Sequence, residues 1–452
     1  MQNYHFIAIG GIGMSGLAKY LLEQGFEVTG SDVSTSKYMF ELEKLGAKVH
    51  VGHDEKNLPE NSIVVVSSAI KDNNPELQKA RALGMKIYHR SDLLKEISEK
   101  AKCFIGFAGC HGKTTTSGMA SYVLDKTAYC PSYVVGGILP EINTNGKFNS
   151  NQVFIAELDE SDGTIQKYLP DICVINNLDE DHVDYYTNGV DSIVEVFNKF
   201  ISNLKPNAKV IINTDCEHNL RLKGKQFITY GIDNNADYMA KNINLGAGFI
   251  EFDFYKKDRF IIHLSTKLIG KHNVYNTLAV AVALIEAGFD IKKLENAFST
   301  FTGMKRRFQL IGKVKGALIY DDYAHHPTEV KALLSSLNAF QNKNIIAVFQ
   351  PHRFTRLQNF WNEFIEALKP VENIIITDVF AASETPIDDI NSEKLANDCQ
   401  NAGINAQYIK GSMQDVADYL YPKLTSNDVV ISIGAGSVTQ LGPELLKLSN
   451  KD

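Results

Sequence analysis

The stretch GFAGCHGKTTTSGMA, residues 106 to 120, carries groups suited to holding a phosphate chain. Gly109 and Gly112 would let the backbone wrap closely round an anion. Lys113 can reach β- and γ-phosphates, and Thr114 offers a hydroxyl to Mg2+. The helix expected to follow points its positive end at the same place. The usual spacing, G-x-x-x-x-G-K-[ST], is missed by one residue: Phe107 stands where the first glycine belongs, and Cys110 sits inside the loop. That departure leaves the phosphate-facing end intact, so the stretch reads as a phosphate loop.

Two acidic segments extend this reading. FIAELDESD places Glu157 at the end of a strand, with Asp159, Glu160 and Asp162 just beyond. VINNLDEDHVD places Asp179, Glu180, Asp181, His182 and Asp184 just after another. In an open parallel sheet, ligands collect outside the carboxyl ends of the strands. Lys113, Thr114, Glu157 and His182 are therefore expected to converge. Mg2+ needs only one or two protein ligands beside phosphate oxygens and water. Either acidic cluster alone would be a solvated loop; with Lys113 and Thr114 they indicate a Mg·ATP site.

A second glycine-rich loop, Gly11-x-Gly13-x-x-Gly16, follows the strand-like run FIAIG and precedes a helical pattern. Asp32 ends the next strand, near the spacing of a ribose-binding acid. The loop suits a nucleotide; NAD and a UDP-sugar fit it equally. Further along, YDDYAHHPTEV sets Asp322, Tyr323, His325 and His326 at the start of a helix opened by Pro327. FQPHRFTR sets His352, Arg353 and Arg356 at a strand's carboxyl end. A helical turn there would put both arginines on one face, where they suit a carboxylate or phosphate. By chemistry alone, His272, Asn273 and Asn276 in IGKHNVYN form a helix cap, and Lys305, Arg306 and Arg307 a solvated basic turn. His5, His50, His53, His89, His218 and His263 show no ligand spacing and read as structural.

These residues need a scaffold that brings strand ends together. Short β-branched runs alternate with helical patterns along the chain, the signature of an α/β protein with parallel sheets and crossover helices. At 452 residues the chain exceeds what one core usually covers. Three blocks are expected, over 1–98, 99–303 and 304–452. The run 95–102 is a linker or a terminal helix. The β-rich piece from Asp237 to Ser265 suggests antiparallel hairpins. A net charge of −7 argues against a general nucleic-acid surface. Six scattered cysteines without a C-x-x-C pair suit a reducing cytoplasm. No signal peptide and no membrane-spanning run are expected.

Taken in order, AGCHGKTTT, AELDESD, NNLDEDHVD, GKHNVYN, RRFQ, DDYAHHPTEV and FQPHRFTR resemble the Mur ligases of peptidoglycan synthesis, over nearly the whole chain. The resemblance implies three domains: a Rossmann-like UDP-sugar domain, a central P-loop ATPase-like α/β domain and a C-terminal Rossmann-like α/β domain. It implies ATP-dependent joining of L-alanine to the lactyl carboxylate of UDP-N-acetylmuramate, with Mg2+, in a cytoplasmic monomer or weak homodimer. A relative that joins a whole murein peptide to the same sugar nucleotide is the alternative. Within this frame Gly11, Ile12, Gly13, Met14, Ser15, Asp32, Ser67 and Ser68 are the UDP-sugar contacts. Gly109, Cys110, His111, Gly112, Lys113, Thr114 and Thr115 hold the ATP phosphates, and Thr114, Glu157 and His182 hold the metal. His272 and Asn276 become adenine-side contacts, and Arg306, Arg307 and His325 further ATP contacts. Tyr323, Arg353 and Arg356 receive the amino acid, with Lys113, His182 and Arg353 nearest the chemistry. Cys110 stands where the family usually has threonine, and Ser437 where an acidic residue is expected. A modified lysine is not assigned, because Lys199 is displaced from the matching offset.

Overall fold

The computed structural model describes residues 2–181, 186, 188–224 and 226–450. Among the described residues the strands form three sheets, each with crossover helices between its parallel strands. In the first, β1 (Asn3–Ile7), β2 (Glu27–Asp32), β3 (Lys48–Val51), β4 (Ser62–Val66) and β5 (Ile87–His89) run parallel in the order β3-β2-β1-β4-β5. The order reverses between β1 and β4, and a crevice opens at such a switch point outside the strand ends. The helix Ile12–Glu23 begins there, with Gly11 as its N-cap.

The second sheet holds β6 (Cys103–Ala108), β7 (Ser132–Leu139), β8 (Thr144–Lys147), β9 (Val153–Glu157), β10 (Ile172–Ile175), β11 (Lys209–Asn213), β12 (Phe227–Gly231), β13 (Tyr238–Gly246), β14 (Phe249–Lys256) and β15 (Arg259–Thr266). Their order is β15-β14-β13-β12-β11-β10-β6-β9-β7-β8. β6 lies parallel between β10 and β9. Phe107 is a residue of that central strand, paired with Glu157 on one side and Val174 on the other, and is 0% exposed. The misfit to the usual loop spacing is thus a core residue in a strand, and the loop proper begins at Gly109. The expected hairpins are present: Asn242 meets Asp253, and Asn244 meets Glu251, across β13 and β14.

The third sheet contains β16 (Gln309–Val314), β17 (Ala317–Asp322), β18 (Asn344–Phe349), β19 (Asn373–Thr377), β20 (Asn405–Ile409) and β21 (Asp428–Ile433), ordered β16-β17-β21-β18-β19-β20. Only the β16–β17 pair of this sheet is antiparallel among the described residues. Residues 95–99 of the run 95–102 are the end of the helix Arg90–Glu99, opened by a reciprocal cap between His89 and Asp92, and the remaining three lead into β6.

The chain divides into two compact units. One comprises Met1–Asn242, Phe252–Thr266 and Tyr275–Phe301; the other comprises Ile243–Glu251, Lys267–Val274 and Thr302–Asp452. The first two sheets therefore share a unit, apart from the tip of the β13–β14 hairpin. Its buried cluster runs from Tyr4, Phe6 and Leu17 to Phe104, Phe154 and Phe197.

Candidate active site

In the first unit, β6 ends at Ala108 and the helix Lys113–Lys126 starts four residues on, so the phosphate loop is Gly109–Gly112. Both glycines are required. Gly109 has φ +112°, and a Cβ there would lie 2.6 Å from the Asn177 carbonyl oxygen and 2.9 Å from its nitrogen. Gly112 caps the helix at φ +84°. Few side chains tolerate such angles. The segment after β10 clamps the loop. Cys110 N donates to Asn177 O at 3.0 Å, and His111 N donates to Asn177 Oδ1 at 2.8 Å. Asn176 Nδ2 donates to His111 O and Thr116 Oγ1, each at 3.3 Å. His111 Nε2 meets Asp179 Oδ2 at 2.9 Å.

Lys113 folds back over the loop. Its Nζ donates to Gly109 O at 2.6 Å, Cys110 O at 3.1 Å and Glu160 Oε1 at 2.8 Å. Burial alone would lower its proton affinity, but Glu160, Glu157 and Asp159 outweigh burial and keep the ammonium charged. Thr114 Oγ1 donates to Glu157 Oε2 at 2.9 Å. The same carboxylate oxygen accepts from Gly136 N at 3.2 Å, and a Cβ on Gly136 would lie 2.3 Å from it. Only glycine leaves that carboxylate its place. A hydroxyl and a carboxylate side by side at a helix N-terminus are hard oxygen donors, a set that fits Mg2+. Thr115 is buried in the first helical turn. His182 lies outside the described residues. Cys110 is buried and exchanges hydrogen bonds with Asp179: Sγ to Asp179 O at 3.3 Å, and Asp179 N to Sγ at 3.2 Å. Burial, with Glu160 nearby, pushes its thiol well above the ordinary value, so it is packing rather than an activated nucleophile.

The glycine loop near the N-terminus opens onto the same cleft. A cavity of about 410 Å³ is lined by Gly11, Ile12, Gly13, Met14, Asp32 and Ser67 on one side and by Glu157 and Asp159 on the other. Asp32 Oδ2 accepts from Gly10 N at 2.9 Å, which braces the loop. Ser68 donates to Asp162 Oδ2 at 2.9 Å. Ser15 is buried on the helix Ile12–Glu23, donating to Ile12 O and accepting from Asn145 Nδ2. The N-terminal glycine loop and Glu157, which accepts from Thr114 at the end of the phosphate loop, thus line one cleft.

The second unit places the remaining residues. Tyr323, His325 and His326 follow β17, and Pro327 opens the helix Pro327–Ser336 as expected. His325 Nδ1 meets Tyr323 O at 3.0 Å. Arg306 is not a solvated basic turn. With φ +61° it turns inward, donating to Gly434 O at 2.7 Å, Ala435 O at 3.3 Å and Asp321 Oδ2 at 3.3 Å. The Arg306 and Arg307 guanidiniums stand 4.8 and 5.3 Å from the Tyr323 ring centroid. Burial, with Arg307 beside it, lowers His272 to about 4, so it is neutral. Asn273 Nδ2 meets its Nε2 at 3.0 Å. Asn276, in the first unit, lies against Gly112.

The shared helical face expected of Arg353 and Arg356 does not form. Arg353 precedes the helix Phe354–Asn359 at φ +69°, and its Nε donates to Glu384 Oε1 at 2.5 Å. Arg356 is buried and donates to His352 Nδ1 at 3.0 Å. Sequence reading missed Asn176, Asn177, Gly136 and Glu384, which act on the predicted residues from other elements. The adjacent asparagines in VINN, at a strand's carboxyl end, were the available signal for the first two.

Comparison with known proteins is consistent along the chain. Residues 3–102 match the family description "Mur ligase family, catalytic domain", residues 107–284 "Mur ligase middle domain" and residues 306–436 "Mur ligase, glutamate ligase domain". The chain is 39% identical to a UDP-N-acetylmuramate–L-alanine ligase of Carboxydothermus hydrogenoformans, over 99% of this chain and 96% of that one. It is similar to the crystal structure of a UDP-N-acetylmuramate–alanine ligase from Thermotoga maritima, with a TM-score of 0.86 at 25% identity and all of both chains covered. A murein peptide ligase from Psychrobacter arcticus shares the fold at a TM-score of 0.71 and 22% identity, over 100% of this chain and 99% of that one.

Proposed function

The chain belongs to the Mur ligase family, with its three-domain α/β fold, and on that premise we propose that it joins L-alanine to the lactyl carboxylate of UDP-N-acetylmuramate, consuming ATP. One observation carries the reading: the N-terminal glycine loop and the Thr114–Glu157 pair beside the phosphate loop line or adjoin a single cleft. A sugar nucleotide on the first loop can then extend its acid towards ATP on the second. The domains run over 1–98, 99–303 and 304–452.

The sugar's carboxylate attacks the γ-phosphorus of ATP. An acyl phosphate forms and ADP departs. Lys113, held charged over the loop, offsets the charge that develops on the phosphoryl oxygens. Thr114, Glu157 and His182 would hold Mg2+, which supplies further charge neutralisation there when bound. The amine of L-alanine then attacks the acyl carbon, a tetrahedral intermediate collapses, and phosphate leaves. Tyr323, Arg353 and Arg356 receive the amino acid, and His325, Arg306 and Arg307 the ATP. The protein's share is positioning and the exclusion of water. Among the described residues no helix is long and apolar enough to cross a membrane. The proposed reaction is cytoplasmic, carried out by a monomer or weak homodimer.

A coupled ADP assay tests the reading. ADP release should require both UDP-N-acetylmuramate and L-alanine, and a murein tripeptide should not replace the alanine. Release that needs neither would overturn the ligase assignment, and a preference for the tripeptide would reassign the acceptor.

A further inference from the structure

Arg90 opens the helix Arg90–Glu99 and lines the cleft that also holds Gly11, Gly13 and Glu157. Its Nη2 donates to Asp159 Oδ2 at 2.5 Å and stands 3.9 Å from Asp162 Oδ2. Among the described residues no acceptor meets its Nε or Nη1. A guanidinium has five donors in a fixed fork that matches a carboxylate. Here one edge is anchored and the rest stays available in the cleft, with the side chain 26% exposed. The anchor, Asp159, lies two residues past Glu157 at the end of β9, so it ties Arg90 to the wall that carries Glu157.

Resting on the proposed reaction, we propose that Arg90 is a substrate-binding residue that receives the lactyl carboxylate of the sugar nucleotide through these open donors. The substrate presents two kinds of anion to this cleft. Its diphosphate suits the N-terminus of the helix Ile12–Glu23 at the glycine loop. Its carboxylate has to reach the opposite wall, near Glu157 and the ATP phosphates. Two carboxylates would repel each other there, and Arg90 is the cation on the cleft lining that can offset the approach. It also holds the acid in one orientation before attack.

The test compares two ligands that differ in the lactyl group: UDP-N-acetylmuramate and UDP-N-acetylglucosamine. Binding is measured by titration calorimetry on the wild-type chain, Arg90→Met and Arg90→Lys, with thermal unfolding alongside. Loss of a charged hydrogen bond predicts that Arg90→Met weakens UDP-N-acetylmuramate binding by roughly 10- to 100-fold. UDP-N-acetylglucosamine binding should be unchanged, which also shows that the cleft is folded. Arg90→Lys should recover part of the loss. Equal weakening for both ligands would place Arg90 on the diphosphate or in a purely structural role, and no weakening for either would remove it from the site; both overturn the proposal. If the wild-type chain binds neither ligand, the sugar-nucleotide reading itself fails, whatever Arg90 does.

Discussion

Glu76 offers a quantitative check on what holds the N-terminal glycine loop in shape. It is 0% exposed, at the start of the helix Pro75–Ala82. His5 Nε2 lies 3.2 Å from its carboxylate, Ser31 Oγ donates at 2.5 Å, Asn57 Nδ2 at 2.9 Å and Asp54 N at 3.2 Å. Burial pushes the carboxyl up, but hydrogen bonds from His5, Ser31 and Asn57 outweigh it and hold Glu76 at about 2. Against the unfolded value of 4.5, at 1.36 kcal/mol for each tenfold change in proton affinity, the ionised form favours folding by roughly 3 kcal/mol. The sign follows from the depression. The contribution is complete above about 4.5 and is lost as pH falls through that value towards about 2. Glu76→Gln should therefore destabilise the first unit by roughly 3 kcal/mol at neutral pH. The gap to wild type should close on acidification, since the wild-type carboxyl is then neutral too. Two units make a single global transition a poor readout. Urea unfolding should therefore be followed by hydrogen exchange in β1 and β2. Asp32, next to Ser31, braces Gly10, so sugar-nucleotide affinity should fall with stability. A gap below about 1 kcal/mol at neutral pH, or one unchanged in acid, would refute the reasoning.

Other substitutions probe separate parts. Gly109→Ala meets the Asn177 backbone on two sides at a left-handed φ; it should raise the KM for ATP by roughly 5- to 30-fold, from about 1–2 kcal/mol of backbone cost alone, and leave sugar-nucleotide binding intact by calorimetry. With ATP absent, Cys110 should resist a thiol reagent that labels the exposed Cys130, as peptide mass spectrometry would show; rapid labelling of Cys110 would contradict its raised proton affinity. Arg306→Lys should destabilise the second unit by about 1–3 kcal/mol in urea titration, because an ammonium cannot reach Gly434 O, Ala435 O and Asp321 together.

Sequence alone went furthest where a residue's role follows from its place on its own element. Glu157 does end a strand, Pro327 does open a helix, and both glycine loops do follow parallel strands. It went less far where the partner is remote. Arg306 reads as a surface cation until a positive φ turns it towards carbonyls at Gly434 and Ala435, more than a hundred residues on. Arg353 reads as a helical neighbour of Arg356 until its own φ of +69° removes it from the helix. Gly136 carries no motif at all, yet its missing side chain makes room for Glu157.

The same distinction explains how a loop that misses its consensus can still be a phosphate loop. A consensus glycine is needed only where a side chain would collide or the backbone turns left-handed. Phe107 does neither, because it belongs to β6 and fills the core. Cys110 can replace a hydroxyl residue because its side chain turns away from the loop to the Asp179 backbone. The loop's shape is set by backbone groups, the Asn177 amide and carbonyl, and two glycines with positive φ. Tolerance at 107 and 110 and intolerance at 109 and 112 are thus one geometric fact: side chains at the first pair point into protein, and at the second pair there is no room for one.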